Sequence, residues 1–162
     1  MIRSTGIFRY SPKAKSIPSK KWWLIIECCD DLARYYRSLF NRVNRAWYQL
    51  HAPAWGSHIS VVCDEIPSPG ALHFWEAHNG EEVDFWYEPI LYTASPAARG
   101  DAPRVVPLEP GYENGQYVWL NVQCDRATAL RCELGLPRSP YFPLHLTVGI
   151  DLTFTVRNAT RT

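Results

Sequence analysis

The sequence predicts an α+β fold: two pseudosymmetric lobes of antiparallel sheet, with flanking helices, around a central cleft. Three observations predict it. First, "WLIIEC", which begins at Trp23, returns as "WLNVQC" at Trp119, with Trp, Leu and Cys matched, Ile26 opposite Val122 and Glu27 opposite Gln123. Second, each copy runs into aspartate and a helical pattern, at Asp30 and Asp31 and again at Asp125. Third, each helical pattern leads through a proline-bearing loop to His-x-[Ser/Thr]-Val, at residues 58–61 and 145–148. Strand, capped helix, loop and histidine strand therefore occur twice in order, the mark of a duplicated unit.

Residues 1–20 hold Pro12, Pro18 and four basic side chains before Lys20 (Arg3, Arg9, Lys13, Lys15) and predict an extended arm. "WWLIIECC" is apolar and β-prone, so a buried strand is expected over 22–28. Asp30 or Asp31 would cap the helix that follows. Its apolar stripe is expected to be Leu32, Tyr36, Leu39, Val43, Trp47 and Leu50, with Arg34, Arg37, Arg42 and Arg45 on a solvated outer face. Pro53 and Gly56 break the chain before the strand "HISVV". "EVDFWYEPILY" predicts one or two strands interrupted at Pro89. The proline- and glycine-rich stretch 95–115 predicts an irregular loop. A strand at "YVWLNVQC", a short helix capped by Asp125 and closed by Gly135, and a last strand from residue 144 complete the chain.

The length of 162 residues suits one domain, with an N-terminal lobe over about 20–92, the loop, and a C-terminal lobe over about 117–156. A 46% hydrophobic share and a net charge of +1 describe an ordinary globular chain. That balance counts against a protein that grips long nucleic acid and leaves a small phosphorylated ligand open. The five cysteines, odd in number and without a CxxC pair, predict reduced thiols in a reducing cytosol. No apolar leader or membrane-length run is present, so a cytoplasmic chain without a membrane partner is expected.

In a strand, residues i and i+2 share a face. His58 and Ser60 therefore project together, as do His145 and Thr147. In the last strand Leu144, Leu146, Val148, Ile150, Leu152, Phe154 and Val156 alternate against His145, Thr147, Gly149 and Asp151. The apolar set should be buried and the histidine set turned outward, with Ile59, Val61 and Cys63 inward in the first strand. A core histidine would share the apolar parity, and neither does. Two histidines suit acid–base chemistry because their ordinary pKa lies near neutrality. Adjacent hydroxyls suit the non-bridging oxygens of a phosphate. Zinc fits less well: no His-x-x-x-His or CxxC spacing occurs, and Asp151 stands about 20 Å along the strand from His145.

At these residues the chain resembles the two-histidine (2H) phosphoesterases, a superfamily marked by two His-x-[Thr/Ser]-x motifs in pseudosymmetric α+β lobes, as in LigT-like RNA 2′,3′-cyclic phosphodiesterases. Within it, "FRYSPK", "HISVV", "DFWYEP", "YVWLN", "ELGL" and "LHLTVGI" are similar to the phage anti-CBASS phosphodiesterases, which destroy cyclic di- and trinucleotide immune signals. The resemblance implies a cofactor-free, metal-independent phosphodiesterase with His58, Ser60, His145 and Thr147 at its centre. It implies a cyclic oligonucleotide as the partner. Tyr10 and Trp86 would then stack bases, with a packed aromatic as the alternative for each, and Lys13 would meet a phosphate; Gly149, on the histidine face, would leave room for the ligand or mark a β-bulge. An RNA-end enzyme acting on 2′,3′-cyclic phosphate or 2′–5′ linkages, and a non-catalytic binding module, are the alternatives.

Overall fold

A computed structural model of the chain describes residues 1–12, 21–43, 49–53, 55–94, 105–107 and 117–151. The elements are β1 (Ile2–Tyr10), β2 (Trp23–Cys28), α1 (Asp30–Val43), β3 (His58–Cys63), a 3₁₀ turn (Pro69–Phe74), β4 (Glu82–Ala94), β5 (Val105–Pro107), β6 (Tyr117–Gln123), α2 (Asp125–Glu133) and β7 (His145–Ile150). Every strand pairing is antiparallel.

The expectation of an α+β fold, two lobes of sheet and flanking helices around a central cleft, is corrected by the pairing. The strands run β1-β2-β3-β7-β6-β4, and β4 returns to β1 through six residue pairs from Ile2↔Tyr87 to Ile7↔Glu82. Six strands thus close one barrel, with β5 added on the free edge of β4. Closure removes the sheet edges that two separate sheets would leave exposed. The repeated order of strand, helix and strand is present, in β2-α1-β3 and β6-α2-β7, but both copies are built into a single barrel with a single core.

That core explains the strand pattern. Phe8, Leu24, Ile26, Ile59, Val61, Phe85, Leu120 and Leu146 are all inaccessible to solvent and belong to one apolar cluster. Tyr36 and Phe40 of α1 and Ala127 and Leu130 of α2 join it. The expected arm at the N-terminus is partly a barrel stave: β1 lies between β2 and β4, and Gly6 lets it approach β2 closely. A Cβ at Gly6 would collide with Ile26 and with the Glu27 carbonyl.

Four local expectations are also corrected. The buried face of α1 is Ala33, Tyr36 and Phe40, while Leu39 and Val43 are exposed. Phe40 buries more area than Leu39, so the helix is turned by about one residue relative to the expected stripe. Arg37 leaves the solvated face and donates to the Val148 carbonyl of β7 at 2.7 Å. Cys63 is exposed, not inward. A bulge sets Ile25 against Ser60 but Leu24 against Val62, so Val61 is an extra residue and the parity flips after it. Finally, the cap of α2 is Cys124, whose sulfur accepts from the Ala127 N–H at 3.4 Å. Gly135, at φ +70°, does close that helix, and a side chain there would meet Ser68. Pro89 sits where β4 shifts register between Tyr87 and Leu91, so the strand bulges there without ending. Trp47, most of the 95–115 loop and the chain beyond Asp151 lie outside the described residues.

Candidate active site

The two histidine motifs meet where β3 and β7 join. Ile59 pairs with Leu146, both in the core. Continuing the antiparallel register sets His58 opposite Thr147 and Ser60 opposite His145. All four side chains are half-buried on the face turned away from the core. Each histidine therefore stands across the seam from the other motif's hydroxyl, and the two motifs are related by the local twofold of an antiparallel strand pair.

Both imidazoles are held the same way. His58 Nδ1 lies 3.0 Å from the Gly56 carbonyl, and His145 Nδ1 lies 2.8 Å from the Pro143 carbonyl, two residues upstream in each case. A carbonyl oxygen can only accept, so Nδ1 carries the hydrogen. Nε2 is then the unprotonated nitrogen of the neutral ring, and the one that can exchange a proton with a ligand. Gly56 presents its carbonyl from φ +72°, a conformation that favours glycine.

Supporting residues come from both repeats. Asp30 Oδ1 accepts the Ser57 N–H at 2.9 Å and fixes the chain just before His58. Those Ser57 contacts hold the Asp30 carboxyl below its ordinary pKa. Arg37 fixes β7 at Val148, next to Thr147. The tryptophans that begin the two repeated hexapeptides flank the histidines. Trp23 lies 6.4 Å from His58 and Trp119 lies 5.6 Å from His145, between ring centroids. The Trp119 indole donates to Asn121 Oδ1 at 3.1 Å, which orients it. The signal for Trp23 and Trp119 was their match in the hexapeptide repeat. Asp30 and Arg37 gave only a cap signal and a surface signal.

Burial pushes both histidines below their ordinary pKa, since it penalises the imidazolium, and His58 is lowered further by the charge of His145. The two rings therefore feel one another and do not readily hold two protons together.

The remaining expected ligand residues fall elsewhere. Tyr10 is packed in the core against Trp75, ring centroids 4.9 Å apart, on the opposite face from the histidines. Burial raises its hydroxyl to about 12. Trp86 is exposed on β4, two strands away from β7. Lys13 lies outside the described residues. Gly149 does not open space for a ligand: a Cβ there would come within 2.7 Å of Leu50 Cβ and 3.1 Å of the His51 carbonyl. Gly149→Ala is expected to destabilise the fold by about 1–3 kcal/mol through this overpacking, read as a lower urea midpoint at unchanged m.

Among the described residues no group of three or more His, Cys, Asp or Glu side chains is placed to hold a metal ion. None of their helices is long and apolar enough to cross a membrane. None of the five cysteines forms a disulfide. No protein-family model, curated protein or solved structure matches the chain. What the fold and site define is a class by geometry: a closed antiparallel barrel carrying a twofold pair of His-x-hydroxyl strands on its outer face.

Proposed function

We propose that the paired-histidine face cleaves a 3′–5′ phosphodiester by general acid–base catalysis, with cyclic di- and trinucleotides as the substrate class. The observation that carries this reading is the matched anchoring of His58 and His145 through Nδ1, with each Nε2 left for proton exchange. The neutral imidazole takes the proton of a ribose 2′-hydroxyl. That oxygen attacks phosphorus, and the protonated imidazole delivers its proton to the leaving 5′-oxygen. A 2′,3′-cyclic phosphate results. Water then opens it with the two histidines in exchanged roles. Ser60 and Thr147 donate to the non-bridging oxygens as charge builds on them. The resemblance to anti-CBASS phosphodiesterases supplies the biological setting, removal of defence signals in the cytosol of an infected bacterium.

The test is chromatography of 3′,3′-cyclic GMP-AMP incubated with the protein in the presence of EDTA. Linear dinucleotide is the expected product. If that ring and a cyclic trinucleotide both stay intact while RNA 2′,3′-cyclic phosphate ends are opened, the substrate class is RNA ends. If none is cleaved, the face is a binding module.

The pH profile is a second prediction. Activity requires one proton shared by two rings whose affinities for it are both lowered by burial. The bell of kcat/KM against pH should therefore peak below about 6.5, the ordinary histidine value, and decline through neutrality. A plateau extending above pH 8 would contradict it.

A further inference from the structure

Beside His145 the surface opens into a cleft of about 470 Å³, within the range of small-ligand sites. Ser60 and His145 line it, together with Cys63 and Glu65 further along β3 and its extension. Trp119 also lines it, as do Tyr141 and Phe142 from the segment before β7. Trp119 is buried, and its ring is 6.4 Å from Phe142, edge to face. Tyr141 is 94% exposed and Phe142 is 38% exposed. Two aromatic rings so exposed in a globular chain offer stacking surface to a planar ligand.

The carboxylate among the described residues that line this cleft is that of Glu65, and it is fixed in place. Glu65 is held by Arg131 through two bonds of 2.7 Å, and Arg131 is wholly buried. The Cys63 backbone also bonds Glu65, and the Arg131 bonds keep the carboxyl ionised, below its ordinary pKa. About 29% of the Glu65 side chain is exposed. A carboxylate has about four acceptor sites, so after these three contacts one acceptor remains. It can meet a donor and repels an acceptor.

Resting on the phosphodiesterase reading, we propose that this cleft is a nucleobase subsite for the nucleotide next to the scissile phosphate, and that Glu65 makes it select guanine. Guanine presents N1–H flanked by the N2 amino group, donors throughout. Adenine presents one amino group beside the N1 lone pair, which the carboxylate charge opposes. A base stacked on Phe142 with its donor edge on Glu65 lies beside Ser60 and His145, next to where the phosphate is attacked.

The experiment measures binding apart from chemistry. Guanosine, adenosine, inosine and uridine 3′-monophosphates are titrated against the full chain, read by tryptophan fluorescence. Guanosine monophosphate is expected to bind at least about tenfold tighter than adenosine monophosphate, the scale of one charge-assisted hydrogen bond. Inosine monophosphate, which keeps N1–H, should fall between them. Phe142→Ala should weaken guanosine monophosphate severalfold, and Glu65→Gln should abolish the preference. Because Glu65→Gln disturbs the pair with Arg131, the comparison of the four nucleotides on the unmodified chain is decisive by itself. Equal binding of the four, or guanosine monophosphate binding unmoved by Phe142→Ala, would overturn the subsite. A chain that selects guanine and cleaves no phosphodiester would keep the subsite and lose the hydrolytic reading. Cleavage of cyclic GMP-AMP and cyclic di-AMP at equal kcat/KM would do the reverse.

Discussion

Alanine at His58 or at His145 is expected to lower the turnover of a cyclic dinucleotide by about 10²–10⁴-fold, the usual contribution of a positioned acid or base. Either change alone should suffice, because one ring must take the proton that the other replaces. The fold should survive both. Each imidazole is half-buried on the face away from the core, and it bonds a backbone carbonyl that water can reach once the ring is gone. The expected signature is a collapse of kcat with a urea midpoint close to that of the parent. The variants should also differ from it in the pH profile, since each removes one limb of the bell. Sign matters for stability as well. Both histidines have a lower pKa in the fold than when unfolded, so the unfolded chain binds protons more tightly between the two values. Stability is therefore full above about pH 6.5 and falls as pH drops through the folded pKa values. His58→Ala should remove part of that acid sensitivity while removing activity. Turnover at the parent rate in both variants would show that the twofold face does not carry the chemistry.

How much of this was legible in the sequence depends on the range of each interaction. Strand parity is local, and it placed His58, Ser60, His145 and Thr147 outward and Ile59, Leu146 and Val148 inward, as found. The repeat foretold two strand–helix–strand units. Barrel closure was not legible, because it depends on pairing Ile2 with Tyr87 and Ile59 with Leu146. No periodicity within either segment reports such a partner, and two separate sheets would satisfy the same alternation. The α1 stripe was misread for a related reason. Tyr36 serves both candidate faces, and only the core it meets decides between Phe40 and Leu39. Tyr10 looked like a stacking residue on an arm because nothing local shows that β1 is flanked on both sides. The bulge after Ser60, which turns Cys63 outward into the cleft, is likewise a property of the β2–β3 pair and not of either strand.

Arg131 carries no local signal beyond one charge in a short helix, yet its loss is expected to cost more stability than any other single change discussed. Its side chain is wholly buried. It donates to Glu65, to the Val61 carbonyl at 2.6 Å and to the Pro137 carbonyl at 2.8 Å. The guanidinium thereby ties α2 to β3 and to the segment that carries Tyr141 and Phe142. Arg131→Met should destabilise the fold by about 3–5 kcal/mol, because it leaves a carboxylate facing a buried apolar side chain. Adding Glu65→Leu removes that stranded charge and should return much of the loss. Rescue should stay incomplete, since Val61 is fully buried and its carbonyl still lacks the donor, at about 1–3 kcal/mol. The pair also sets an acid limit. Glu65 is held below its ordinary pKa, so its contribution is present above about pH 4.5 and is lost as pH falls through the folded value. Urea denaturation of the parent, the single variants and the double variant, at pH 7 and at pH 4, measures all three effects. Full additivity of the two single changes would show that Arg131 acts through the backbone carbonyls alone, and that the Glu65 carboxylate does not depend on it.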